Sequence, residues 1–184
     1  MNTNNKSIPR GVELIISVAA CTLLIWFDQF TKTLAVDKLQ TGPLVIWDGV
    51  FEFHYTINKG AAFGIFQNQR TYFLIVTLIL LAGIFYTYWR MPSTKKYLFM
   101  RANLVLLTAG AIGNFIDRLT LEYVIDFLYF KLIDFPIFNV ADCYVCIAAF
   151  FLFVAIMFYY KDGDFACLIP KRWQKEKTEA EKEA

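Results

Sequence analysis

Four uninterrupted apolar runs, each long enough to cross a bilayer, decide what this chain can fold into. A hydrocarbon core of about 30 Å takes roughly 20 predominantly apolar residues in a helix. Such runs extend from about Gly11 to Phe27, Thr71 to Trp89, Leu98 to Ile116 and Val140 to Tyr160. They predict an all-α membrane protein of four transmembrane helices, built as a single integral membrane domain over residues 1–184. A composition of 58% hydrophobic and 18% charged residues excludes disorder, and nine Gly and four Cys exclude a collagen-like chain and a disulfide scaffold. A net charge of +2, with clustered basic residues, gives no nucleic-acid footprint. The first run is not read as a cleavable secretory signal, because polar Asp28, Gln29 and Lys32 close it and no small-residue cleavage site follows. Glu13, near its start, is expected to reach the interface.

Orientation follows from the short loops, since cytoplasmic segments carry the excess of Lys and Arg. The N-terminal tail, the 90–101 connection and the tail 161–184 together hold twelve of the eighteen basic residues. Both termini are therefore expected in the cytoplasm, with loops 28–70 and 117–139 on the outer face. The charged stretch that ends the chain reads as a solvated tail.

The first outer loop is too long for a simple connector. Leu44-Val45-Ile46-Trp47 and Val50-Phe51-Glu52-Phe53 flank Asp48-Gly49, a dipeptide suited to a tight hairpin turn, which predicts a small β element over about 43–66. Phe51, Phe53 and Tyr55 alternate with Glu52, His54 and Thr56, so one face can rest on lipid and the other meet water. A hairpin that merely caps the bundle fits the same residues.

Ionisable groups near a bilayer are costly and tend to mark a site. Asp28 and Lys32 fall at the outer end of the first helix, Asn58 and Gly60 just before the second, Asn114, Asp117 and Arg118 at the end of the third, and Asn139 and Asp142 at the start of the fourth. Each group has a bland reading too. Asn139-x-x-Asp142 has the spacing of a helix cap, Asp117-Arg118 that of an interfacial ion pair, and Asp28 and Lys32 that of an i, i+4 salt bridge. The 58–64 segment reads equally as an ordinary turn. Asp126, inside Val124-Ile125-Asp126-Phe127, has no partner in its own segment. Two carboxylates face to face share a proton, one acting as base and the other as acid. Asp126, in a mobile outer loop, and Asp142, on a rigid helix start, are the pair that suits activation of a water.

Other chemistries are poorly supplied. His54 stands alone in the expected strand, and no serine has a base within reach on the outer side. Cys143-x-x-Cys146 has the spacing of a disulfide-exchange enzyme but lacks a second thiol pair in either outer loop. No cofactor and no metal are expected. A proton-coupled carrier using Asp126 and Asp142 is the alternative to an enzyme, weakened by nearly apolar cytoplasmic halves of the helices.

Five segments, D-Q-F-T-K at 28–32, N-K-G-A-A-F-G at 58–64, G-N-F-I-D-R at 113–118, V-I-D-F at 124–127 and F-N-V-A-D at 138–142, occur in the order and layout of one family. Over nearly its whole length the chain resembles bacterial lipoprotein signal peptidase, also called signal peptidase II. The resemblance implies an intramembrane aspartic protease that removes signal peptides from prolipoproteins whose lipobox cysteine carries a diacylglyceryl group. It implies Asp126 and Asp142 as the catalytic pair. Asn58, Gly60, Asn114, Arg118 and Asn139 would shape the site and hold the substrate backbone, with Asp28, Lys32 and Asp117 in support. The β element resembles the family's cradle, which lies on the membrane beside the substrate's lipid. The partners implied are diacylglyceryl-prolipoproteins and membrane lipids, for a monomer in the bacterial inner membrane with its active site near the outer face. Two departures from the family pattern are Ala148, where Gly is common, and Cys143, where Ser is usual.

Overall fold

The computed structural model describes residues 9–60 and 69–170. Residues 61–66 of the expected β element, the 61–64 part of its motif, and the ends of both tails lie outside the described residues. In chain order come α1 (Arg10–Leu39), β1 (Leu44–Trp47), β2 (Phe51–Asn58), α2 (Arg70–Arg90), α3 (Lys95–Thr120), β3 (Val124–Phe130), a short 3-10 turn (Lys131–Ile133), α4 (Val140–Phe158) and a final 3-10 helix (Asp162–Leu168). The four long helices are all apolar enough to cross a membrane, α4 most of all with a mean hydropathy of 2.4. Phe150, Phe153 and Phe158 of α4 are exposed, which suits lipid and not water.

Helix α1 does not stop near Phe27 but continues to Leu39. The apolar run ends at Asp28 because the helix turns polar groups inward, not because it terminates: Asp28 and Lys32 are 0% and 1% exposed. Glu13, in the first turn of α1, also turns inward. It is buried and pairs with Arg101, Oε1 to Nε 2.5 Å. The Arg101 guanidinium lies 4.1 Å from the centre of the Tyr88 ring and donates to the Met91 carbonyl. Two charges in that half of the bundle are thus closed on one another, as an intramembrane pair must be.

The extra turns of α1 support the sheet. Ala35 and Leu39 pack with Ile125 and Phe127, beneath three antiparallel strands in the order β1-β2-β3. The β1–β2 turn forms at Asp48-Gly49 as expected, with Gly49 at φ 70°. Strand β3 lies in a segment expected to be loop, so Asp126 is fixed opposite Thr56 rather than mobile. The expected alternation of faces breaks where register shifts between Phe53 and Thr56. Glu52 is buried instead of meeting water and accepts from Lys131 Nζ at 3.1 Å.

At the other end, Tyr88, Met91, Tyr97, Met100 and Tyr160 form a second core. The final 3-10 helix covers it: Tyr97 Oη donates to the Asp164 carbonyl, Arg90 Nε donates to that of Cys167, and Lys96 pairs with Asp164. Residues 162–168 are therefore packed structure, and the charged stretch from Lys171 expected to be solvated lies outside the described residues. Helices α3 and α4 meet closely. A Cβ on Gly110 would stand 2.5 Å from the Ala141 carbonyl oxygen, and one on Gly113 would stand 2.5 Å from Asp28 Oδ2. Ala148 is fully buried in α4.

Candidate active site

Strand β3 and the first turn of α4 each deliver one carboxylate, and a buried asparagine joins them. Asn139 caps α4: its Oδ1 accepts from Asp142 N at 3.0 Å, and its own N–H donates to Asp142 Oδ2 at 3.1 Å. Its Nδ2 donates to Asp126 Oδ1 at 2.7 Å. The expected cap is real, yet it is also a bridge between the two acids. Asn58, at the end of β2, donates to the other Asp126 oxygen at 2.9 Å and accepts from Gly60 N–H through its Oδ1. Asn114, on α3, donates to Asp142 Oδ1 at 2.7 Å.

Below the acids lies a charged cluster that anchors both of their elements. Lys32 Nζ reaches Asp28 Oδ2 and Asp117 Oδ2 at 2.9 Å each and donates to Asn114 Oδ1 at 3.0 Å. All three N–H directions of the ammonium are used. Asp28 Oδ1 accepts from Ala141 N at 2.9 Å, beside Asp142, and Asp117 Oδ2 accepts from Ile125 N at 3.2 Å, beside Asp126. The expected Asp28–Lys32 pair is present. The expected Asp117–Arg118 pair is not, because Asp117 points to Lys32, while Arg118 donates to the carbonyls of Gly60 at 3.2 Å and Asn114 at 3.5 Å.

Asn58, Asn114, Arg118, Asp126, Asp142 and Cys143 line one cleft of about 520 Å³. Burial pushes the Asp126 carboxyl up to about 7, and the Asp142 charge pushes it further the same way against the opposing donors of Asn58 and Asn139. A larger groove of about 640 Å³ involves α1, α3 and α4, but its walls are apolar and its charged members, Glu13 and Arg101, are already paired. Among the described residues no group of His, Cys, Asp or Glu is arranged to hold a metal ion. His54 lies outside the cleft, half exposed beside Glu52.

The structure thus brings Asn58, Gly60, Asn114, Arg118 and Asn139 together around Asp126 and Asp142, with Asp28, Lys32 and Asp117 bonded to the same group. Three participants escaped the sequence. Gln29 donates to Asp28 Oδ2, the Gly113 carbonyl and Asp117 Oδ1; it was noted as a polar residue closing the first run, within D-Q-F-T-K, but not as a member of the site. Arg70 and Phe73 engage Arg118 from α2, and nothing in a run of apolar residues marked either.

Residues 20–158 match the family model described as signal peptidase (SPase) II. The lipoprotein signal peptidase of Streptococcus thermophilus strain CNRZ 1066 is 37% identical over 149 residues, covering 80% of this chain and 94% of that protein. That of Clostridioides difficile strain 630 is 37% identical over 138 residues, covering 74% and 91%. Among solved structures, a bacterial membrane enzyme determined by the in meso method at 2.3 Å superposes with a TM-score of 0.73 at 30% identity, covering 84% of this chain and 92% of the other. A second, at 1.9 Å, gives 0.71 at 29% identity, covering 85% and 99%.

Proposed function

This chain belongs to the signal peptidase II family, a premise that makes it a multi-pass membrane aspartic endopeptidase cleaving lipoprotein signal peptides, and we propose that Asp126 and Asp142 carry out the hydrolysis. The observation that carries the assignment is the joining of two carboxylates from separate elements, through Asn139 and Asn114, at the wall of one cleft.

Asp142 starts as the base. Both of its oxygens accept N–H donors at the positive end of α4. Asp126, whose carboxyl is held up to about 7, keeps its proton below neutrality and about half of it at neutrality, and starts as the acid. Asp142 takes a proton from a water as the oxygen attacks the scissile carbonyl, while the Asp126 carboxyl donates to the carbonyl oxygen. The tetrahedral intermediate collapses when the proton held by Asp142 passes to the leaving nitrogen and a hydroxyl proton of the intermediate returns to Asp126, which restores the starting pair. No cofactor enters this scheme. Asn58 and Arg118, tied together through Gly60, line the cleft, where a signal helix unwound at the cleavage point must find partners for its freed backbone groups. Arg118 and Asn58 offer donors for its carbonyls.

Further parts of the proposal rest on the sequence and the family. The substrate is a prolipoprotein with a diacylglyceryl-modified lipobox cysteine, and cleavage falls just before that cysteine. The chain works as a monomer, one integral membrane unit in the bacterial inner membrane, with the sheet against the outer leaflet and both termini cytoplasmic. Exposed Leu44, Val45, Ile46 and Trp47 on β1 suit contact with lipid.

Purified protein in detergent should cleave a diacylated lipobox peptide, and Asp126→Asn and Asp142→Asn should each abolish cleavage while leaving the fold intact. Turnover near the parent level by either variant would remove the dyad. A proton carrier would leave the peptide whole.

A further inference from the structure

Arg118 stands near the C-terminus of α3, where the last carbonyls of a helix lack partners within it. Arg70, the first residue of α2, supplies them. Its Nε donates to the Arg118 carbonyl at 2.7 Å, its Nη2 to that of Leu119 at 2.8 Å, and its Nη1 to Glu122 Oε1 at 2.7 Å. Glu122 has φ 72°, the left-handed turn that leads from α3 into β3. A planar fork of donors can hold three acceptors in this way, whereas a lysine ammonium cannot present the same geometry.

One turn further along α2, Phe73 lies against the side chain of the same residue. The Arg118 guanidinium is 4.7 Å from the centre of its ring. Residues at i and i+3 share a helix face, so a single turn of α2 grips Arg118 by its backbone carbonyl and by its side chain. The guanidinium, held over the ring, donates to the Gly60 carbonyl, Gly60 N–H donates to Asn58, and Asn58 donates to Asp126.

We propose that the first turn of α2 is a brace that aims Arg118 at the substrate, with Arg70 as the positioning residue. The inference rests on the reading of Arg118 as a substrate-binding group. Arg70 touches neither acid, and its pair with Glu122 is partly exposed, at 36% and 71%. An exposed pair of this kind adds little to stability. Its consequence should therefore appear in substrate placement more than in folding.

The test is a double-mutant cycle on the full chain in detergent with a diacylated lipobox peptide, using Arg70→Gln, Arg118→Ala and the double variant. Arg70→Gln should raise KM about tenfold with kcat changed less than about twofold, and it should add nothing further once Arg118 is Ala. Arg70→Lys should not restore KM, because the fork is lost while the charge remains. Additive effects in the double variant, or an unchanged KM in folded Arg70→Gln, would overturn the brace. If Arg70→Gln does not fold, Phe73→Leu takes its place in the cycle, and its KM effect must likewise vanish in the Arg118→Ala background. Unchanged KM in Arg118→Ala would overturn the substrate role of Arg118 and the brace together, but would leave the assignment of the two acids standing, since that is read from the Asn variants.

Discussion

In the proposed mechanism Asp142 has two jobs at once, as the N3 partner of the Asn139 cap and as an acid, and the chemistry of asparagine separates them. Asn serves at a helix start about as well as Asp, to within a fraction of about 1 kcal/mol. Asp142→Asn should therefore keep its melting temperature yet lose its activity. The acid Asp126 adds a second handle, because its raised pKa fixes the sign of the pH response. A carboxyl held up to about 7 is protonated below that value and ionised above it. The proton needed on the carbonyl oxygen is present at lower pH and lost as pH rises through about 7, so kcat/KM should fall on that side. A second limb should appear at lower pH, where Asp142 no longer accepts a proton, and both apparent values belong to the pair. A pH–rate profile with the lipidated peptide checks this. A rate that stays flat for about two units above neutrality would contradict the assignment of Asp126 as the acid.

The elements differ in how far the sequence announces them. The four spans and the hairpin turn at Gly49 were legible, since hydropathy and turn chemistry are local. The length of α1 was not, because a test for apolar runs ends where charges gather, and Asp28 and Lys32 are buried charges one turn apart. Strand β3 was hidden for a related reason. Val124, Ile125 and Phe127 are buried on both sides of an equally buried Asp126, so no alternation marked a strand whose partner, β2, lies far back in the chain. The acids themselves were legible as exceptions to apolar surroundings, but the cluster that orders them was visible only as separate pairs. Its geometry depends on a contact between elements. Gly113 lets Asp28 of α1 pass α3 to reach Ala141 N, and a Cβ there would stand 2.5 Å from Asp28 Oδ2. Gly113→Ala must displace a buried carboxylate paired with Lys32 or shift α1, which should destabilise the protein by about 1–3 kcal/mol and lower turnover by moving the start of α4. Thermal unfolding in detergent together with the cleavage assay would show it. A variant with parental stability and rate would mean that α1 does not set the position of Asp142.

Across the whole molecule, charge is sorted between two ends. Arg10, Arg90, Lys95, Lys96, Arg101 and Lys161 gather where α1 and α3 begin and α2 and α4 end. At the other end lie the sheet and the cleft, where Lys32 pairs with two carboxylates, Arg70 with Glu122 and Lys131 with Glu52. The bias of Lys and Arg that sets orientation in a membrane predicts the first end on the cytoplasmic side. The same rule governs the substrate. A signal peptide has a basic n-region, which stays in the cytoplasm, followed by an apolar stretch of about 7–15 residues. Its cleavage point then comes to rest toward the outer leaflet, at the depth of a cleft placed outside. An inverted enzyme would offer Asp126 and Asp142 to the basic end of the signal and never meet the scissile bond. A fluorescent reporter that matures only in the cytoplasm should thus be active when fused after Ala184, and a phosphatase that needs an oxidising compartment should be active when inserted near Asp48. The opposite pattern at both positions would put the acids on the wrong side of the membrane for this substrate, whatever their chemistry.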